Sequence, residues 1–309
     1  MLPTMRMLEL FSGIGGWRYA LGGLISRDET QVVAYDISPL ACDTYELNHG
    51  ERPHARELAS IPAKTLAAHE ADLWAMSPPC QPFCRMGNRH GLEDRRSRAF
   101  LRLLEILPEA PPRALVLENV PGFRDSDARD RLCDVLNRLG FEIQEWQLCP
   151  TAFGIPNQRA RYFMAASRDG LSTVAVENIS PSPLADYLDA DADPSLYLDE
   201  ATLARHGGGM DFVRPEDRRS TCFIGGYGQR FVGSGSFLET PRGIRRFAPS
   251  EIARIMGLPE QFRFPQGLPM EARYKLLGNG LNIGVARWVM SHLLRDAEHG
   301  AKAAQCPSS

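Results

Sequence analysis

The chain has 309 residues, 43% of them hydrophobic and 24% charged, with a formal net charge of −3. This is the composition of a soluble globular protein with room for one large domain and a subdomain. It excludes a membrane-spanning protein, since no apolar run reaches the length of a bilayer-crossing helix, and a net-acidic chain does not advertise nucleic-acid binding.

Residues 7–11 are predicted as a strand, followed by the loop Ser12-Gly13-Ile14-Gly15-Gly16 and a helix from about Trp17. Residues 31–35 form a second strand ending in Asp36, and Ser38-Pro39 opens a helix, since proline suits a first helical turn. Residues 72–76 read as a short buried strand that must stop at Pro78 and Pro79, which fix φ and supply no backbone donor. Helical periodicity over 99–107, a buried strand over 114–117 ending in Glu118-Asn119, and a helix over 129–139 stopped by Gly140 come next. Residues 141–148 and 161–166 are two more strands. Alternating strand and helix predicts an α/β fold with a parallel, doubly wound sheet. Near Arg168 the texture changes. Residues 180–240 carry scattered proline and glycine, an acidic stretch and Gly207-Gly208-Gly209, which reads as an irregular subdomain. Helical pattern returns at Pro249, residues 275–294 are a long apolar segment, and the tail after about Glu298 is expected to fray.

Cys80 is the most informative position. Ligands of α/β sheets bind beyond the carboxyl ends of the strands. A thiol directly after Ser77-Pro78-Pro79 would therefore sit on a rigid turn facing a ligand. Glu118 ends another strand and can converge on the same crevice, and a carboxyl beside a thiol suggests covalent catalysis with acid assistance. Arg159 and Arg161, two residues apart, share one face of a strand. Phe11-Ser12-Gly13-Ile14-Gly15-Gly16 lies between strand and helix, where backbone N–H groups and the helix dipole favour a ligand's negative group. Asp36 can accept ribose hydroxyls, and Arg18 stands where a dinucleotide loop would have its third glycine. A nucleoside ligand such as S-adenosylmethionine is thereby favoured. Each element alone has a plain structural reading as a turn, a cap or a surface pair.

The seven cysteines are odd in number and the start of the sequence has no signal-peptide architecture, so reduced thiols and a cytoplasmic protein are expected. Cys80 and Cys84 have no second close pair, and no metal site is expected. Lysine occurs only at Lys64, Lys275 and Lys302, and all other basic residues are arginine, the better fork for phosphate. Arginine clusters within 85–102, 214–219 and 242–246 point to a phosphate-facing surface.

Taken in order, Phe11-x-Gly13-x-Gly15-Gly16, Pro79-Cys80-Gln81, Glu118-Asn119-Val120, Arg159-x-Arg161 and Gly278-Asn279-x-Leu281-Asn282 resemble the ordered motifs of the cytosine C5-methyltransferases. The resemblance spans nearly the whole chain. It implies a class I, Rossmann-like methyltransferase sheet that uses S-adenosylmethionine and releases S-adenosylhomocysteine. It also implies a catalytic domain of residues 1–167 plus 244–309 and a target-recognition subdomain of 168–243. Cofactor contacts are expected from Phe11, Ser12, Gly13, Ile14, Gly15, Gly16, Asp36, Ile37, Glu57, Leu58, Pro79, Asn279 and Leu281. Cys80, Glu118, Arg159 and Arg161 are expected to be catalytic. Gln81, Asn119, Arg85, Arg95, Cys222, Phe223 and Tyr227 are expected on the substrate side.

Thr221-Cys222-Phe223-Ile224-Gly225-Gly226-Tyr227 resembles the signature of the branch historically grouped with DNA methyltransferases but acting on aspartate tRNA. Cys84, Ile224 and Gly280 depart from that branch, which usually has threonine, threonine and serine there. The resemblance implies a tRNA substrate methylated at position C38, with no obligate protein partner. The alternatives are a sequence-specific DNA methyltransferase of a restriction–modification system, with identical chemistry, and a non-catalytic nucleic-acid-binding protein.

Overall fold

The computed structural model describes residues 4–79 and 97–294. A six-stranded sheet is built from β1 (Met5–Leu10), β2 (Thr30–Tyr35), β3 (Leu73–Met76), β4 (Ala114–Asn119), β5 (Glu142–Leu148) and β6 (Arg161–Ser167), in the order β2-β1-β3-β4-β6-β5. The first four strands are mutually parallel. β6 runs antiparallel to both β4 and β5, so the sheet is mixed where an all-parallel one was expected. The reason is local: β5 and β6 are joined without a crossover helix, and a strand without such a crossover returns antiparallel.

The inner strands β1, β3, β4 and β6 are buried on both faces for most of their length, and side-chain alternation sorts their residues into two cores. Met7, Leu73, Ala75, Val116, Phe163 and Ala165 face one layer. This layer holds α1 (Gly16–Leu21) and, later in the chain, α7 (Pro249–Ile255), α8 (Met270–Asn279) and α9 (Ile283–Ser291). Leu8, Leu10, Trp74, Met76, Leu115, Leu117 and Met164 face the other layer. Here lie α3 (Ala63–Ala67), α4 (Arg98–Ile106) and α5 (Asp127–Arg138), while α2 (Pro39–His49) packs on the α1 side through Ala41. α5 begins two residues before the sequence expectation because Ser126 caps it, its side chain accepting from the Arg129 N–H at 3.3 Å.

After β6 the chain forms α6 (Glu200–His206) and a small sheet of β7 (Asp211–Val213), β8 (Ser236–Thr240) and β9 (Gly243–Arg246). This sheet extends to Arg246, three residues past the subdomain boundary expected at 243. It is sewn to α7 by a buried pair in which both terminal nitrogens of Arg245 reach Glu251, at 2.8 and 2.7 Å. The apolar segment 275–294 is two helices. Gly280 ends α8 with extended dihedrals, and Asn282 caps α9 by accepting from Val285 N–H at 3.2 Å. Among the described residues no helix is long and apolar enough to cross a membrane.

Candidate active site

Strand parity aims the key side chains. Ser77 continues the Leu73, Ala75 face of β3, Glu118 the Val116 face of β4, and Arg161 the Phe163 face of β6. All three therefore point to the α1 side of the sheet, at the end where β3 and β4 stop and β6 begins. There Arg161 Nε lies 3.3 Å from the Glu118 carboxylate. They line a cavity of about 450 Å³ whose opposite wall is the glycine loop.

The loop is held from three sides. Ser12 N–H donates to Tyr35 C=O at 3.0 Å, and Gly13 N–H to Asp36 Oδ2 at 2.8 Å. Gly15 has φ +86°, and a Cβ there would lie 2.2 Å from His49 Nε2, so only glycine fits. Below the loop, Glu9 accepts the Trp17 and Arg18 N–H groups that open α1, at 3.0 and 3.2 Å, and the Tyr45 hydroxyl at 2.9 Å. Burial pushes the Glu9 carboxyl up to about 7, against these donors. Sequence reasoning missed Glu9. Its signal was an acid in the middle of an otherwise apolar strand.

Ser12, Gly13 and Ile14 face the cavity, and Gly16 is roofed by Leu281, whose Cγ would lie 2.8 Å from a Cβ at Gly16. Phe11 leaves β1 with φ +57° and turns the chain into the loop. Asp36 Oδ2 accepts the Gly13 N–H and Oδ1 the Ser38 N–H, both at 2.8 Å, and the carboxylate lines the cavity where it can accept from a ligand hydroxyl. Ile37 is 62% exposed beside the cavity and presents an apolar face to it. Glu57, Leu58, Pro79 and Asn279 complete this wall. Among the described residues, the Ser12 hydroxyl is buried without a hydrogen-bond partner. A buried hydroxyl with nothing to bond, beside an open acid and an apolar shelf, fits a polar nucleoside ligand with a charged end. A group the size and polarity of S-adenosylmethionine is therefore accommodated.

On the other wall, burial pushes the Glu118 carboxyl up, opposed by the Arg161 and Arg159 guanidinia and by the Ser77 hydroxyl. Arg159 is 3% exposed and bonds three backbone carbonyls from two segments: Phe223 at 2.9 Å, and Gly278 at 3.0 Å with Gly280 at 2.5 Å. It thus ties the subdomain and the end of α8 to the sheet. Its Nη1 also meets Cys222 Sγ at 3.1 Å, while Arg161 Nη2 lies 3.6 Å from that sulfur. Burial raises the Cys222 thiol, but the two guanidinia together outweigh it and hold it below its ordinary value. Asn119 donates to Pro78 C=O at 3.2 Å and so braces the turn before position 80 against β4. Cys80, Gln81, Cys84, Arg85 and Arg95 lie outside the described residues.

Two expectations need correction. Phe223 and Tyr227 are 2% and 0% exposed and sit in the subdomain core, so they support the pocket and do not offer a contact surface. The Tyr227 hydroxyl is engaged by Ser236 C=O at 2.7 Å and Phe247 N–H at 2.9 Å. The arginine clusters within 214–219 and 242–246 are also more structural than expected, while most of the 85–102 cluster lies outside the described residues. Arg214 pairs with Glu239 at 2.8 Å, Arg219 with Asp211 at 2.9 Å, Arg245 is buried on Glu251, and Arg246 stacks on Phe231 at 4.8 Å. Their acid partners Asp211, Glu239 and Glu251 lie just outside the clusters, so a charge count within each cluster does not include them. Trp17 and Ser77 also line the cavity and were not singled out by the sequence.

The model of the C-5 cytosine-specific DNA methylase family matches residues 5–196 and 205–295. A tRNA (cytosine(38)-C(5))-methyltransferase of Schizosaccharomyces pombe is 36% identical, aligned over 95% of this chain and 98% of its own length. The human enzyme of the same name is 31% identical over 92% of this chain and 97% of its own. Among solved structures, the Entamoeba histolytica methyltransferase EhMeth superposes with a TM-score of 0.88 at 26% identity, covering 94% of this chain and 99% of that one. With the sheet, the glycine loop and the Glu118–Arg161 pair all in the family's order, the chain belongs to the C-5 cytosine-specific methylase family and is a cytosine C5-methyltransferase.

Proposed function

We propose that the protein methylates C5 of a cytosine in the anticodon loop of tRNA, aspartate tRNA at C38 being the target, with S-adenosylmethionine as donor. The single observation that carries the chemistry is the meeting of the Glu118 carboxyl and the Arg161 guanidinium at 3.3 Å, at the mouth of the turn that leads into Cys80. The tRNA reading is supported by the names and the near-complete overlap of the relatives. It is also supported by physics, since looped RNA bases are already unstacked and cost less to extrude than a base in a duplex.

When bound, S-adenosylmethionine supplies an electrophilic methyl group on a sulfonium. Ser12, Asp36, Ile37 and the glycine loop would hold it. Cys80 adds as thiolate to C6 of the base while Glu118 gives a proton to N3, and the electron pair of the C5–C6 bond becomes available at C5. Glu118 suits this task because burial favours its protonated form. Arg161 faces the same carboxyl and the base's carbonyl side, and Arg159 fixes the loops around it. After C5 is methylated its proton leaves to water, the C5–H electron pair re-forms the C5–C6 double bond, Cys80 departs as thiolate, and the N3 proton returns to Glu118.

Incubation of the protein with labelled S-adenosylmethionine and either bulk tRNA or DNA tests the substrate. Label in tRNA, mapped by bisulfite sequencing to one anticodon-loop cytosine, is expected. Label confined to DNA would overturn the tRNA reading and favour the DNA enzyme that the family's own description names.

A further inference from the structure

Trp17 is the second residue of α1, and its ring is 1% exposed, packed edge-on against Phe163 with centroids 6.3 Å apart. Phe163 is the residue paired with Glu118 across β4 and β6. Held this way, the Trp17 indole N–H donates to the Ser77 hydroxyl at 3.1 Å. Ser77 and Glu118 are the next residues after the paired Met76 and Leu117 of adjacent parallel strands, so their side chains stand side by side on one face. An indole nitrogen can only donate, and a serine hydroxyl has one proton and two lone pairs. With the indole on one lone pair, the Ser77 proton is left to point at the Glu118 carboxyl.

We propose that Ser77, its hydroxyl aimed by the Trp17 indole, is a positioning residue that fixes the orientation and protonation of Glu118. The proposal rests on Glu118 being the acid that works on the base. It links the two walls of the pocket, since α1 starts at the cofactor loop and Ser77 starts the turn that carries Cys80. The charged groups facing Glu118 among the described residues are Arg161 on β6 and Arg159 just before it, with the Cys222 thiol between those two guanidinia. Both arginines favour the ionised carboxylate, and so does a hydroxyl donating to it. Burial alone works in the other direction. Removing the hydroxyl therefore tips the balance further towards the protonated acid.

The test is a carbon-13 titration of the Glu118 carboxyl in protein labelled at glutamate, with the signal assigned by its loss in Glu118→Gln. Ser77→Ala should move the midpoint up by roughly one unit. Trp17→Phe should move it in the same direction by less, and should add nothing in the Ser77→Ala background. Ser77→Thr keeps the hydroxyl and should keep the wild-type midpoint, whereas its isostere Ser77→Val should not. The alkaline limb of the kcat–pH profile should follow the same shifts, with an unchanged far-ultraviolet circular dichroism spectrum as the control for folding. A midpoint equal in Ser77→Val and Ser77→Thr overturns the inference, as does a Trp17→Phe shift that persists without the hydroxyl. A midpoint that moves while the alkaline limb stays in place contradicts instead the assignment of Glu118 as the working acid.

Discussion

Glu118 is 8% exposed, yet it keeps an open side towards the cavity. Its neighbours pull in opposite directions: burial favours the acid, the guanidinia favour the carboxylate. A group held in that balance can both give and recover a proton, which neither a solvated nor a fully dry carboxyl does well. Glu118→Gln keeps the shape and removes the acid. It should slow methyl transfer by about 10²- to 10⁴-fold while leaving S-adenosylhomocysteine affinity unchanged, as read by single-turnover kinetics and calorimetry. A transfer rate within a few fold of wild type would remove Glu118 from the chemistry. The position of Glu118 and Arg161 was legible in the sequence because strand parity is a two-residue rule and both flank apolar runs. The burial of Phe223 and Tyr227 was not, because aromatics in a glycine-rich stretch look the same whether they cap a core or line a surface.

At the scale of elements, the glycine loop depends on a buried acid and a buried histidine. Glu9 closes the N-terminus of α1, and His49 fills the space under Gly15. Burial pushes Glu9 up to about 7 from 4.5, so the folded protein holds that proton more tightly than the unfolded chain. Its contribution to stability is full below pH 4.5 and is lost as pH rises through about 7. Burial, helped by the Arg18 charge, lowers His49 to about 3 from 6.5, and its contribution runs the other way: present above 6.5, lost as pH falls towards 3. Glu9→Gln should therefore gain stability relative to wild type between about pH 5 and about pH 8, by up to roughly 3 kcal/mol, in urea melts at the two values. Parallel pH dependence in the two proteins would show that Glu9 is not held protonated. The helices α8 and α9 were one apolar segment in the sequence. Only the capping geometry of Asn282, which also donates to Ile255 C=O at 3.0 Å, reveals the break at Gly280. That break is what frees the Gly278 and Gly280 carbonyls for Arg159.

Across the whole molecule, one buried pair joins the small sheet to the catalytic layer. Glu251 accepts from Arg245 twice, from Ala248 N–H at 2.7 Å and from Asp189 N–H at 2.9 Å. Glu251→Ala leaves Arg245 charged and 3% exposed, and should cost about 3–5 kcal/mol in urea denaturation; a loss under about 1 kcal/mol would mean the two parts are held otherwise. The α/β class and the order of the motifs were readable from residue pattern alone. The mixed sheet was not, because pattern reports that a strand exists and not which way it runs. The covalent mechanism requires the Cys80 sulfur to bond transiently to a cytosine while a methyl group is delivered to the neighbouring carbon. The direct measurement is incubation with S-adenosylmethionine and an anticodon-loop RNA carrying 5-fluorocytosine at the target, since fluorine at C5 cannot leave as a proton does. A denaturation-resistant protein–RNA species, mapped to Cys80 and absent in Cys80→Ala, is the predicted result. Methylation of ordinary tRNA without any such species from the fluorinated RNA would contradict it.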